Sequence, residues 1–239
     1  MLLVNNENYW LTGNTLVFNP NLTNIHGDFT PEILKNTQSI ILPEKLEVNS
    51  RLAFEGFHNV NSIHISKKNP KFVTIDGVLF LRNIKELIKY PCCKKEKVFL
   101  VPEGVELIEA HAFSHSKALV KVVLPNSLKN IALSAFNYCN NLQEISIPKN
   151  VLYVSDFVLA NCGSLENIEL YNGLLEMGNH VFWNCENIKK IILPDSLEKI
   201  GWGTFAGCSM LRDITFGNNL SYIPAATFDE CFNLQTVVF

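Results

Sequence analysis

Five cysteines of this chain, Cys139, Cys162, Cys185, Cys208 and Cys231, stand 23 residues apart. A chain of 239 residues with seven cysteines does not do this by chance. An aromatic residue or Leu stands three positions before each one: Phe136, Leu159, Phe182, Phe205 and Phe228. An apolar residue stands three positions after: Leu142, Leu165, Ile188, Leu211 and Leu234. A fixed period of roughly 20–50 residues is the signature of stacked supersecondary units, each unable to bury its apolar side alone. The chain is therefore bound to a repeat architecture before any local motif is weighed.

Other columns keep the same step. The first apolar slot after the turn holds Val105, Leu128, Val151, Leu174, Leu197 and Leu220. Three residues later come Ile108, Ile131, Val154, Met177, Ile200 and Ile223. A third slot alternates: Val122 and Leu124, Ile145 and Ile147, Ile168 and Leu170, Ile191 and Leu193, Ile214 and Phe216, Val237 and Phe239. Alternation with period 2 reads as a strand burying one face. Pro102, Pro125, Pro148 and Pro194 end these strands, because Pro lacks the N–H that a ladder needs. The segment around Ala135-Phe136 or Thr204-Phe205 is too short for a free helix and reads as one helical turn pinned by its Phe.

The unit recurs upstream, where Pro43, Leu46, Phe54, Val60, Ile63 and Ile65 fill the slots and Phe57 replaces Cys. A copy one residue longer precedes it, with Leu22, Ile25, Phe29, Ile40 and Leu42. The repeats are 19–42, 43–65, 102–124, 125–147, 148–170, 171–193, 194–216 and 217–239, eight in all. Residues 66–101 break the period and read as a β-hairpin insert entered by Asp76-Gly77. Residues 1–18 read as an N-terminal cap, with Trp10 over the first coil. The sequence stops at Val237-Val238-Phe239 in a strand slot, with no evident C-terminal cap. An open strand edge is a pairing template, so an edge-to-edge homodimer or a longer array is expected.

Composition closes several function classes. With 47% apolar and 18% charged residues the chain is not disordered. A net charge of −3 offers no basic footprint for nucleic acid. No apolar stretch nears the roughly 18 residues that span a bilayer, so no membrane insertion is expected. Met1-Leu2-Leu3-Val4 meets Asn5-Asn6-Glu7-Asn8 at once, too soon for a signal peptide.

These columns resemble leucine-rich repeats, and most closely the BspA-like branch, whose units read L-x-x-I-x-I-P-x-x-V-x-x-I-x-x-x-A-F-x-x-C. Leu142 to Cys162 carries that pattern, with Leu159 in place of the usual Phe. N-P-x-F, D-G-V-L-F and L-I-x-Y-P, from Asn69 to Pro91, resemble the hairpin that interrupts many arrays of this family. The resemblance covers about residues 19–239. It implies one α/β domain, a right-handed solenoid with parallel strands on the concave face and short helical turns on the convex face. It also implies a cell-surface or secreted protein that adheres to host proteins or cells. A cytoplasmic location stays open, because this chain carries no signal of its own.

The cysteine column reads as packing rather than chemistry. Zinc sites need close clusters, and here neighbours are a whole unit apart. Phe57 and Ser116 in the same slot favour volume over sulfur. Cys92-Cys93 lies off the column beside Lys94, Lys95 and Lys97; nearby cations lower a thiol pKa, but the plainer reading is an exposed loop pair. His111 and His115 have an i, i+4 spacing that suits a metal on a helix. No third ligand follows in register, so they read as solvated outer surface. No nucleophile elbow, P-loop or paired acidic motif occurs, so no catalytic residue, metal or cofactor is expected.

The candidate surface is the set of strand positions between the buried ones. It comprises Ser62, His64, Lys121, Val123, Glu144, Ser146, Asn167, Glu169, Lys190, Ile192, Asp213 and Thr215. Core columns repeat and these do not, as a ligand-fitting face would. Drift at solvated positions gives the same pattern, and Lys121–Glu144 or Lys190–Asp213 then mean only cross-strand pairs worth under about 1 kcal/mol. The expected function is a non-catalytic protein-binding module for a host or extracellular-matrix protein. The alternatives are an intracellular scaffold or effector, or the recognition part of a larger enzyme. Asn21-Leu22-Thr23 and Asn219-Leu220-Ser221 are glycosylation sequons, relevant on a eukaryotic secretory route.

Overall fold

The computed structural model describes residues 2–5, 7–26, 29–49 and 54–239. They form two compact units, Met1–Lys95 and Glu96–Phe239.

In the second unit the coils build two parallel ladders, the last coil joining only the first of them. The strand slots pair in register, Val98 with Lys121, Lys121 with Glu144, Glu144 with Asn167. Shorter strands follow the turn, Leu107–Ile108, Asn130–Ile131, Tyr153–Val154, Glu176–Met177 and Lys199–Ile200, each paired to the next. Between the ladders runs the core: Val105, Ile108, Phe113, Leu128, Phe136 and their column mates are buried. The Phe rings stack coil on coil, Phe113 on Phe136 at 4.8 Å and Phe182 on Phe205 at 5.6 Å. The apolar pattern thus becomes a continuous core by simple stacking of identical slots. The last coil departs from it: Val237 and Phe239 fill the buried slots but are exposed, since their strand pairs on one side only, with Asp213–Thr215.

The expected helical turn after the short strands is absent. Residues 111, 134, 157, 180, 203 and 226 have φ between 54° and 59°, and residues 115, 138, 161, 184, 207 and 230 have φ between 56° and 76°. Two left-handed residues per coil forbid a helix. They also redirect the amides. His111, Phe113 and His115 donate their N–H groups to the carbonyls of Leu133, Ala135 and Asn137 in the next coil, at 2.8–3.0 Å. Ala112, Ser114 and Ser116 donate inward, to Glu109, His111 and Phe113. A helix would turn its donors beyond the first turn back on itself. The turn is therefore a third inter-coil ladder.

The first unit starts with three antiparallel strands, Leu2–Asn5, Tyr9–Thr12 and Thr15–Phe18, the last of which pairs in parallel with Ser39–Ile41. Leu11 and Leu16 are fully buried, and Trp10 is half-buried. Its first repeat carries a true helix, Pro31–Asn36, in the turn slot. Thr30 caps it by accepting from the Ile33 N–H, and Pro31 opens it. The turn of the 43–65 repeat lies partly outside the described residues.

The insert is a three-stranded antiparallel meander: Phe72–Ile75, Val78–Leu81 and Glu86–Lys89. Asp76 (φ 48°) and Gly77 (φ 78°) form its first turn, the two left-handed residues that a tight hairpin needs. Asn69 anchors it. This buried amide donates to the Glu44 and Leu46 carbonyls and accepts from the Lys71 and Phe72 N–H groups at 2.7–2.9 Å. Every polar atom of the side chain is used, which is what permits its burial.

Candidate functional site

The outward strand positions fall into three groups. Lys121, Val123, Glu144, Ser146, Asn167 and Glu169 share one four-stranded parallel sheet with Val98–Leu100. Lys190, Ile192, Asp213 and Thr215 belong to a separate three-stranded sheet, Lys190–Ile192, Asp213–Thr215 and Thr236–Val238. Ser62 and His64 lie in the first unit, beside Ser39 and Ile41, with the Ser62 hydroxyl 3.0 Å from that of Ser39.

The first group has a shape. It lines an open depression of about 310 Å³ floored by Val122 and Ile145. Lys121 and Glu144 face each other as register partners and close an ion pair. The Ser146 hydroxyl donates to Glu169 at 2.8 Å, and the Tyr171 hydroxyl donates to the same oxygen at 2.7 Å. The Tyr171 bond, then that of Ser146, holds the Glu169 carboxyl below the usual range, and Lys121 adds to this. The carboxylate in turn raises the Tyr171 phenol. Glu169 is thus an anion held in place by hydroxyls. Lys190 and Asp213 are also register partners, but no ion pair joins them among the described residues.

Three residues of this face escape a reading by columns. Tyr171 takes the slot that holds Pro in neighbouring units, and that substitution is the signal. Val98 and Leu100 sit inside the irregular stretch, yet they lie 23 residues before Lys121 and Val123 and pair with them. Both are exposed, Leu100 to 65%. With Val123 they extend the depression into an apolar rim.

The other candidates move. Cys92 is buried, not an exposed loop thiol, and donates to the Phe57 carbonyl at 3.2 Å. Burial, with the neighbouring Cys93, pushes its thiol up to about 11, the opposite of activation by the nearby lysines. His111 and His115 are half-buried rather than solvated, and both are left-handed residues of the turn, so the helical rationale for a shared metal falls away. His115 stacks on Tyr138 at 4.7 Å.

The cysteine column is a column of free thiols, buried from Cys139 to Cys208 and half-buried at Cys231. It does more than fill space. Cys139, Cys162, Cys185, Cys208 and Cys231 each donate to the carbonyl of the aromatic or Leu slot one coil back, at 3.1–3.2 Å. Burial pushes the Cys185 thiol up to about 12 and the Cys231 thiol to about 11. A thiol so raised is a weak nucleophile and a poor metal ligand at neutral pH. Ser116, in the same slot, donates instead to its own Phe113 carbonyl at 2.6 Å.

No helix among the described residues is long and apolar enough to cross a membrane. Comparison with solved structures places the fold. A leucine-rich repeat protein from Eubacterium ventriosum is 25% identical, with a TM-score of 0.72 over 81% of this chain and 56% of its own. A leucine rich cell surface protein from Faecalibacterium prausnitzii is 24% identical, with a TM-score of 0.74 over 85% and 59%. The pneumococcal vaccine antigen PcpA is 22% identical, with a TM-score of 0.56 over 85% and 43%. The chain spans a little over half the length of the first two. No curated protein matches it. The description "BspA type Leucine rich repeat region" matches in six copies, over residues 12–143, 89–186 and 133–239. The chain belongs to the BspA-type leucine-rich-repeat family.

Proposed function

We propose that the chain is a non-catalytic protein-interaction module and that its strand face, from Val98 to Thr215, takes the partner. The carrying observation is the contrast between slots. Buried slots hold the same residue types coil after coil, while the outward slots hold Leu100, Val123, Ser146, Glu169 and Ile192 in one column. An apolar rim, a fixed carboxylate and an ion pair around one depression suit a protein partner of mixed character. Solenoids commonly bind through an extended strand face. The partner class is a host or matrix protein and the role is adhesion at a cell surface. Support comes from the family and from similarity to a protein described as a leucine rich cell surface protein.

The test is binding of the purified chain to immobilised matrix and host-surface proteins by interferometry. The comparison variant changes Lys121, Glu144, Glu169 and Lys190 together to Ala. The expected result is a loss of at least about tenfold in affinity, about 1.4 kcal/mol, at an unchanged melting temperature. Equal binding by the variant removes the strand face from the reading. Binding to none of these proteins removes the adhesive role.

A further inference from the structure

A second site lies on the turn side, away from the strand face. In this column the coils place His115, Tyr138, Asn161, Asn184 and Gly207, all left-handed residues 23 apart. His115 and Tyr138 stack almost parallel, 5° apart, so the imidazole of the preceding coil covers one face of the phenol ring. The other face looks toward the following coil. There the aromatic column ends, because Asn161 is smaller, and Gly163 puts no side chain between Asn140 and Glu186. The result is an open groove of about 410 Å³ running from Tyr138 to Asn187. Tyr138 is 42% exposed.

The walls of this groove are unusual in kind. The Asn161 amide donates to the Asn137 side-chain oxygen at 3.1 Å, and its own oxygen accepts from the Asn184 amide at 3.2 Å. This short amide chain fixes which way each group points. It leaves a second N–H on both amides, and the Asn184 oxygen makes no protein bond among the described residues. Asn140, Ser164, Glu186 and Asn187 engage no protein partner through their side chains among the described residues. An exposed aromatic face thus stands at one end of a row of paired donors and acceptors, with one carboxylate.

We infer that this groove binds a neutral saccharide, a pyranose ring lying on the free face of Tyr138 with its hydroxyls held by Asn161, Asn184, Asn187 and Glu186. A pyranose is apolar on its C–H face and dense in hydroxyls at its rim. It needs a flat aromatic surface beside groups that donate and accept at once, as amides do. A protein side chain would leave most of these polar groups unpaired, at a cost for each. Glu186 sets the charge: it accepts from sugar hydroxyls and repels an acidic sugar.

The test uses the intact chain labelled with nitrogen-15, titrated separately with galactose, mannose, N-acetylglucosamine and sialic acid. The readout is the side-chain amide resonances of Asn161, Asn184 and Asn187. At least one neutral sugar is expected to shift them with a Kd of about 1–10 mM, while sialic acid does not. Gly163→Gln is the blocking variant. A Cβ at Gly163 meets nothing within 4 Å and its φ is not left-handed, so the substitution fills the groove without strain. It is expected to weaken binding at least about tenfold at an unchanged melting temperature, and Tyr138→Ala to do the same. Two outcomes overturn the proposal: no neutral sugar moves the three amides, or the shifts survive Gly163→Gln. A response to sialic acid alone overturns the charge assignment and the site as drawn.

Discussion

The same slot of the repeat is solved in two ways. In the first repeat it is a helix, Pro31–Asn36, whose donors close on the chain itself: Leu34 to Thr30 at 3.1 Å and Thr37 to Ile33 at 3.0 Å. From Ala110 onward it is a left-handed turn that sends every second N–H to the neighbouring coil. The helix has its own start signals, Thr30 as cap, Pro31 behind it and Glu32 in the first turn. The later coils do not combine these signals, carrying only Glu109, Ser155-Asp156 or Pro224 at the turn entry. A self-closed element takes few backbone bonds from its neighbours if it melts, although Ile33 leaves their core and Asn59 loses the Lys35 carbonyl. A turn that bonds across coils makes each coil depend on the next. The left-handed residues that allow this cost about 1 kcal/mol each where a side chain is present. The inter-coil hydrogen bonds, each worth about 1 kcal/mol net, offset them.

That contrast can be broken at several strengths. Phe136→Ala has the largest effect. The ring is fully buried and stacked on Phe113, so its loss removes about 3–5 kcal/mol and unfolds the turns on both sides. Urea titration of residues 96–239, followed by tryptophan fluorescence, measures it. Gly203→Ala comes next. It places a Cβ at φ 59° and 2.5 Å from the His180 ring, and it lowers stability by about 1–2 kcal/mol. Its counterpart Ser134→Gly, at φ 54° in the same column, is neutral or stabilises by up to about 1 kcal/mol. If both variants shift the urea midpoint in the same direction, the left-handed column is not what sets the turn.

Thr30→Ala removes the cap of the helix and costs about 1 kcal/mol, confined to the first unit. Hydrogen exchange should show faster opening at residues 33–37 and no change beyond residue 96. Exchange that rises along the whole chain would mean that the helix, too, is wired to its neighbours.

The thiols give the smallest effect. Burial holds the thiols of Cys162, Cys185, Cys208 and Cys231 above the ordinary value of 9.0, at about 12 for Cys185. The folded state therefore holds the proton more tightly than the unfolded one. The stabilisation is complete below pH 9 and is lost as pH rises from there toward 12. The melting temperature should fall over that window, and Cys185→Ala should flatten part of the fall while lowering stability at pH 7 by about 1 kcal/mol. At pH 8 a maleimide should label Cys93, which is only half-buried, before any of the buried column. Labelling of Cys162 or Cys185 in the native state would contradict the packing described.

What the columns made readable was whatever repeats in residue type. Leu128, Ile131, Phe136, Cys139 and Ile145 each have mates at a fixed step, and all are buried where the pattern puts them. The left-handed column was illegible because its occupants share no chemistry: His111, Ser134, Phe157, His180, Gly203 and Ala226. Backbone geometry, not side-chain type, repeats there, and only Gly203 hints at it. Cys92 is illegible for a different reason. Its lysine neighbours are local, while Phe57 and Val60, whose carbonyls receive its thiol, are more than 30 residues away. The strand face was readable as a list but not as a surface. Nothing local says that the ladder divides between Asn167–Leu170 and Lys190–Ile192, or that Tyr171 reaches back to Glu169.

The bonds between coils also have a direction, and it matters while the chain is being made. Cysteine thiols donate backward, to a carbonyl 26 residues earlier, and Asn141, Asn150 and Asn233 donate backward by 24. The strand amides of Gln143 and Glu166 likewise donate to the coil before. The turn amides of His111, Phe113 and His115 donate forward, as do the strand-end amides of Val101, Leu193 and Phe216. A nascent coil therefore finds its thiol, Asn side-chain and many strand acceptors already laid down by its predecessor, while its turn amides wait for its successor. Such a chain can zip from its N-terminus at the pace of synthesis, each coil serving as the template on which the next is set.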